Sequence, residues 1–257
     1  MAKALSGAGI TRWRQVGETL MREIDQGLLA PGDKLPAEME LQERFGVARQ
    51  TVRRALSHLR NEGILDVQLG RGTFVANKVF QYQIAAQKTF EQNLVDSSMT
   101  PSRQLISCEI LAATRGIAEK LEIQAGDRVL LVVTLGKADD VPVALVKTYF
   151  PVSRIPRLEK AYRQISANRA KAFSPAKVLK TAGIRSFGRK NIRLKSRFPS
   201  PDEAETLKLT SMDTLVETNS VSTAENGTAI FYSISYYAGS RVEFFIGEDA
   251  IASFSAE

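Results

Sequence analysis

From Thr11 to Gly27 the apolar positions Trp13, Val16, Leu20, Ile24 and Leu28 recur at helical spacing, which predicts an amphipathic helix with that stripe buried. Gly27 ends it, and Pro31-Gly32 makes a turn. A short second helix is expected over 37–46, entered after Pro36 and closed by Gly46. A third is expected over 47–63, with Val52, Ala55, Leu56 and Leu59 inward and Gly63 as the stop. Residues 64–76 alternate around Gly70-Arg71-Gly72 and predict a β-hairpin with a glycine-rich tip. Helix, turn, helix and hairpin together make a winged helix-turn-helix.

After Ala76 the pattern fades, and 77–88 reads as a linker. Beyond it lies a partial internal repeat. The stretch from Ala118 and the stretch from Ala204 superpose with an offset of 86, so that Leu121 meets Leu207, Asp127 meets Asp213 and Asp140 meets Asn226. Each unit predicts a short helix, a strand, a turn and a second strand, hence an α+β domain around an antiparallel sheet. Ser200, Pro201 and Glu203 form a capping box that starts the second unit's helix. The segment "SFGRKNIRLKSRF" before it predicts a strand. Strict alternation puts Phe187, Arg189, Asn191, Arg193, Lys195 and Arg197 on one face, and Ile192 and Leu194 on the other, expected core side.

Composition narrows the chemistry. The 257 residues hold one cysteine, Cys108, and one histidine, His58. That excludes an internal disulfide, Cys-rich metal sites and most His-based catalysis. No metal and no cofactor are expected. Cys108 in "LISCEI" reads as a packing residue and His58 as a surface or packing residue. No apolar run is long enough to span a membrane, so no membrane partner and a cytoplasmic location are expected. The net charge is +7, which favours an anionic partner. Residues 154–197 carry 14 basic and 1 acidic side chains, and residues 198–257 carry 2 and 10.

Arg49, Gln50, Thr51 and Arg53 cluster where the third helix begins. The first turn of such a helix reaches base edges in the major groove, where Arg fits guanine and Gln fits adenine. The order "KLPAE", "FGVARQTVRRAL", "EGIL", "GRGTFVA" closely resembles the DNA-binding domain of the GntR family of bacterial transcription regulators. The resemblance implies DNA contacts at Arg49, Gln50, Thr51, Arg53 and the wing Gly70, Arg71 and Gly72, with Lys34 as a further contact. It departs at Met39, where relatives often carry a polar or basic residue.

The following half resembles the HutC subfamily, whose effector domain, UTRA, shares the chorismate lyase fold. Residues 80–102 and the pattern through Arg189, Arg193 and Arg197 look like PhnF-type regulators of phosphonate metabolism. The expected organisation is a winged helix-turn-helix over 1–77, a linker and start of the effector domain over 78–100, and an effector-binding and dimerisation domain over 101–257. The resemblance implies a homodimer on double-stranded operator DNA, acting as a repressor and released by a small anionic effector, a phosphonate or a phosphorylated metabolite. Candidate effector residues are Thr89, Phe90, Lys137, Arg185, Arg189, Arg193 and Tyr237. Gly136 and Phe231 stand where many relatives carry Arg and Glu, with Lys137 or Arg189 as substitutes for the lost cation. For the cationic strand, a solvated face, an anion pocket and an auxiliary DNA contact all stay open. A lyase-like enzyme and an effector-free DNA binder are the rival classes.

Overall fold

The computed structural model describes residues 11–68, 70–76, 79–84, 88–167, 173–184, 186–210 and 213–247. The chain divides into two compact units, Met1–Lys78 and Val79–Glu257.

In the first unit, α1 (Arg12–Asp25), α2 (Glu38–Phe45) and α3 (Arg49–Asn61) bury one stripe each. Val16, Leu20, Leu41, Val52, Ala55 and Leu59 are fully buried together. Truncating a leucine in such a core typically costs ~2–5 kcal/mol. Leu28 departs from the expected stripe: α1 ends at Asp25, Leu28 is 70% exposed, and Leu29 packs on the core instead. The hairpin forms from β1 (Leu65–Gln68) and β2 (Gly72–Val75), antiparallel, with Gln68 opposite Gly72.

The second unit is built on one six-stranded antiparallel sheet. Its strands are β4 (Pro101–Ala112), β5 (Arg128–Ala138), β6 (Val141–Pro151), β7 (Gly188–Arg197), β8 (Leu215–Thr223) and β9 (Ala229–Ala238). Their spatial order is β4-β5-β6-β9-β8-β7, so the two repeat hairpins meet at β6 and β9. One face is covered by α5 (Arg115–Leu121) and α8 (Pro201–Leu207), the helices of the two repeats. Leu121 packs with Val221 and Tyr232 of the other repeat, and Leu207 packs with Leu135 and Leu145 of the other repeat. The symmetry extends to the caps. Glu122 and Lys208, 86 residues apart, are both left-handed helix ends with φ of 55° and 52°. Arg154 donates to the carbonyls of Leu121, Glu122 and Ala229, while Arg241 donates to those of Leu207, Lys208 and Pro142. Each arginine satisfies orphan carbonyls of its own repeat's helix and ties them to the opposite hairpin.

The other face carries α6 (Pro156–Ala167) and α7 (Pro175–Thr181) over one end, and α4 (Phe90–Asp96) over the other. The segment expected to be linker contributes β3 (Phe80–Gln83), which pairs in parallel with β10 (Val242–Phe245). Phe80 and Tyr82 are buried beside Phe90 and Tyr237. A four-residue strand whose partner lies far along the chain leaves little local period to read.

Candidate functional site

On the first unit, Arg49 opens α3, and its Nε donates to Glu38 Oε2 at 3.0 Å. Arg53, one turn on, has its Nε 3.7 Å from Glu38 Oε1. Gln50 and Arg53 are exposed and Thr51 half-buried. These three share a shallow depression with Arg12, Trp13 and Arg54. Trp13 is flanked by the Arg14 and Arg54 guanidinium groups and meets the exposed His58 ring edge-on at 5.1 Å. At the wing, Gly70 and Gly72 have φ of 73° and 121°. The Lys34 side chain lies against Gly72: a Cβ there would sit 2.7 Å from Lys34 Cε. Lys34 therefore belongs to the wing surface, and Arg71 lies over the Phe74 ring at 5.6 Å.

The second unit holds a cavity of about 420 Å³ on the sheet face that carries α4, α6 and α7. A β-bulge between Arg189 and Asn191 decides its chemistry. The extra residue, Lys190, breaks the strict alternation and flips the side-chain sense along β7. Arg189 pairs with Ser222 and lines the cavity, while Arg193 pairs with Asn219 on the opposite face and is exposed. The expectation that Arg189 and Arg193 share a face is therefore overturned. Arg189 Nη2 donates to Tyr82 Oη at 3.4 Å, and its Nη1 is buried with no hydrogen-bond partner among the described residues.

Of the other candidates, Thr89 and Phe90 line the cavity. Thr89 Oγ1 accepts from Gln92 N at 3.1 Å, which leaves its own hydroxyl proton to donate inward. Lys137 is not on the cavity wall, because strand alternation sends it to the other face from Gly136. Tyr237 is buried behind the wall, its ring 5.3 Å from that of Tyr82. Burial first, and its contacts with Tyr82, push its phenol well above the usual range. Arg185 lies outside the described residues.

Sequence reasoning missed Arg103. It sits directly across from Gly136 in the β4–β5 register. Its Nε donates to Glu91 Oε1 at 2.8 Å, its Nη1 donates to Thr134 Oγ1 at 3.1 Å, and its guanidinium stacks on Phe90 at 4.6 Å. It is 7% exposed. Arg103 thus places a cation across the strand pair from position 136. A signal for it existed: alternation back from Leu105 puts Arg103 on the apolar face of the strand. Tyr82, Lys88, Glu91, Tyr162 and Ser222 also line the cavity and went unread. Lys88 is paired with Asp96 at 2.7 Å.

Gly136 is itself required by this packing. A Cβ there would lie 2.8 Å from two Phe90 ring carbons. Gly136→Ala is expected to displace that ring and destabilise the unit by ~1–3 kcal/mol. Thermal unfolding of the full chain reads this out, and adding Phe90→Leu to the same variant is expected to recover part of the loss.

Among the described residues no cluster of three or more His, Cys, Asp or Glu is placed to hold a metal, and no helix is long and apolar enough to cross a membrane. Cys108 is half-buried beside the α6–α7 core, and burial pushes its thiol pKa up.

Comparison with known proteins agrees with both units. The model of the UTRA domain matches residues 96–243, and that of the bacterial regulatory proteins, gntR family, matches residues 13–75. The HTH-type transcriptional repressor NagR of Bacillus subtilis (strain 168) is 27% identical over 231 residues, covering 90% of this chain and 91% of the relative. The probable transcriptional regulator PhnF of Escherichia coli (strain K12) is 34% identical over 140 residues, 54% of this chain and 58% of the relative. The crystal structure of PhnF from Mycobacterium smegmatis aligns with a TM-score of 0.61 at 27% identity, covering 90% of this chain and 98% of that one. The chain belongs to the GntR family of bacterial transcription regulators, as a HutC-type, PhnF-like member with a helix-turn-helix DNA-binding domain and a UTRA domain.

Proposed function

We propose that the protein is an effector-responsive repressor that binds a pseudo-palindromic operator as a homodimer and leaves it when a small organic anion fills the UTRA cavity. The observation that carries this reading is Arg189, which lines a ligand-sized cavity and whose Nη1 is buried with no hydrogen-bond partner among the described residues. A buried donor without a partner is costly, and an anionic head would relieve it with a charge-assisted bond. Arg103 and the Thr89 hydroxyl supply further donors on the same wall. The phosphonate class, and control of phosphonate uptake or catabolism genes, rest on the likeness of residues 80–102 and 188–207 to PhnF-type regulators. The repressor sense follows the relative described as a repressor. The domain acts as a sensor rather than a lyase: on the cavity wall, burial pushes the Tyr162 phenol upward, and Lys88 and Glu91 are engaged in ion pairs.

Arg189→Ala tests the proposal. Fluorescence anisotropy on an operator duplex, titrated with a panel of phosphonates, should show wild-type protein released and the variant retained. Effector-free affinity should stay within about threefold, because Arg189 lies in the UTRA unit and not on the DNA-binding surface. A variant that releases at the wild-type concentration overturns the assignment of Arg189.

A further inference from the structure

The charges around the cavity and the material of its walls point to different parts of one ligand. Among the described residues three cations reach the cavity: Lys88, Arg103 and Arg189. Lys88 is neutralised by Asp96 at 2.7 Å and Arg103 by Glu91 at 2.8 Å. Arg189 has no ion pair among the described residues, and its Nη1 is the orphaned donor. Among these three, one positive charge is therefore left over. A second negative charge on a ligand would meet Glu91, which itself lines the cavity.

The lining beside Arg189 is hydrocarbon, since Arg189 pairs with Ser222 and Ser222 with Phe231. Phe231 stands 5.4 Å from the Phe150 ring and 5.1 Å from the Phe187 ring, and Leu179 and Val132 complete the same packed cluster. All five line the cavity. A sugar or an ammonium group against these five side chains would lose water to a surface that returns no hydrogen bond; the hydroxyls of Thr134, Thr148, Tyr162, Ser186 and Ser222 belong to the rest of the lining. The volume of about 420 Å³ is also far more than a bare oxyanion fills.

We infer that the effector is an amphiphilic monoanion: one singly charged head, carboxylate or singly ionised phosphonate, on Arg189, joined to an alkyl or aryl body against Phe150, Phe187 and Phe231. This rests on the anion-site reading above and narrows it. The preference for apolar bodies would come from this aromatic wall, and the preference for one charge from the pairing of Arg103 with Glu91.

Isothermal titration of the full chain tests it with a homologous series. The probes are methyl-, butyl-, hexyl- and phenylphosphonate, the carboxylates with the same bodies, 2-aminoethylphosphonate, glucose 6-phosphate, and hexanol as a neutral control. Each added methylene is expected to tighten binding about three- to fourfold until the cavity is filled. At pH 8.5 the carboxylates should match or exceed the phosphonates of equal body, since the latter then carry a second charge. Phe231→Ser should flatten the chain-length dependence, with circular dichroism showing that the variant stays folded. Equal affinity for all anions, or tighter binding of aminoethylphosphonate or glucose 6-phosphate, overturns the amphiphile and leaves the anion site standing. Hexanol binding as tightly as heptanoate, the carboxylate with the same hexyl body, overturns the anion site instead. No binding by any probe overturns both.

Discussion

Replacing Arg197 with alanine is expected to lower the stability of the UTRA unit by ~2–4 kcal/mol. Arg197 reaches Glu203 with two parallel bonds, Nη1 to Oε2 and Nη2 to Oε1, both 2.7 Å. Its Nε donates to Glu217 Oε2 at 3.0 Å, and its plane lies 4.9 Å over the Tyr236 ring. Both carboxylates have side chains only 10% exposed. Glu203 Oε2 accepts also from Ser200 N, and the second oxygen of Glu217, Oε1, meets Asn219 Nδ2 and Lys195 Nζ. Alanine would leave two poorly hydrated carboxylates near each other with only Lys195 to answer them. Arg197 is itself 30% exposed, which keeps the expected loss below that of a fully buried pair. For a unit of this size the loss corresponds to a fall of about 5–15 °C in melting midpoint, read by circular dichroism on the full chain. A fall under about 2 °C would make the cluster an ordinary solvated surface pair. Arg197→Met combined with Glu203→Gln and Glu217→Gln should recover most of the loss, because the charge then left without its partner, Lys195, is exposed to water.

The same cluster sets a pH dependence. The Arg197 bonds, against the opposing effect of burial and with help from Ser200, hold the Glu203 carboxyl at about 2, below its ordinary 4.5. Glu217 is also lowered: burial works against it, but the bonds from Asn219, Arg197 and Lys195 outweigh burial. A carboxyl depressed in the folded state stabilises fully above its unfolded value and loses that contribution as pH falls toward the folded one. The stability gap between wild type and Arg197→Ala should therefore be widest above pH ~5 and close progressively toward pH ~2. A gap that stays constant over that range would show that the two carboxyls are not what Arg197 holds.

The features that local pattern encodes were the ones legible in the chain. Stripes such as Val52, Ala55, Leu56 and Leu59 report their own helix, and the offset of 86 reports two copies of one hairpin. The Ser200–Glu203 capping box formed as its spacing demands. What alternation cannot encode is an interruption of alternation. Lys190 carries no mark that distinguishes it from its neighbours, yet the bulge there turns Arg189 toward the cavity and leaves Arg193 facing away. Pairing is equally silent. Arg103 matters because register sets it beside Gly136, and β3 exists because β10 lies parallel to it. Arg154 and Arg241 cap the repeat helices from outside the repeated stretches, so the symmetry they complete emerges only in three dimensions.

The remaining large effect concerns DNA. Arg49→Ala is expected to weaken operator binding about 5- to 150-fold, as the loss of one bidentate guanine contact would. Arg49 is the first residue of α3, its side chain is 69% exposed, and Glu38 holds its Nε from the start of α2. That exposed ion pair is worth at most ~1 kcal/mol, so a base or phosphate displaces Glu38 at little cost while the pair restricts the guanidinium beforehand. Two roles for Arg49 then separate cleanly. If it reads a base, Arg49→Lys keeps the charge but loses the planar fork, and should bind the operator nearly as poorly as Arg49→Ala. If it only neutralises a phosphate, Arg49→Lys should bind like wild type, and Arg49→Ala should lower the salt slope by about one. Anisotropy titrations at several salt concentrations decide, using an operator selected by the protein from a random pool and a scrambled duplex. The base-reading outcome is expected because the first turn of a recognition helix is the part that reaches base edges. Glu38→Gln supplies the complementary test. Removing a carboxylate beside Arg49 and Arg53 raises the positive potential of the surface without adding a base contact. It should therefore strengthen binding to the scrambled duplex more than to the operator, and so erode discrimination even as affinity rises.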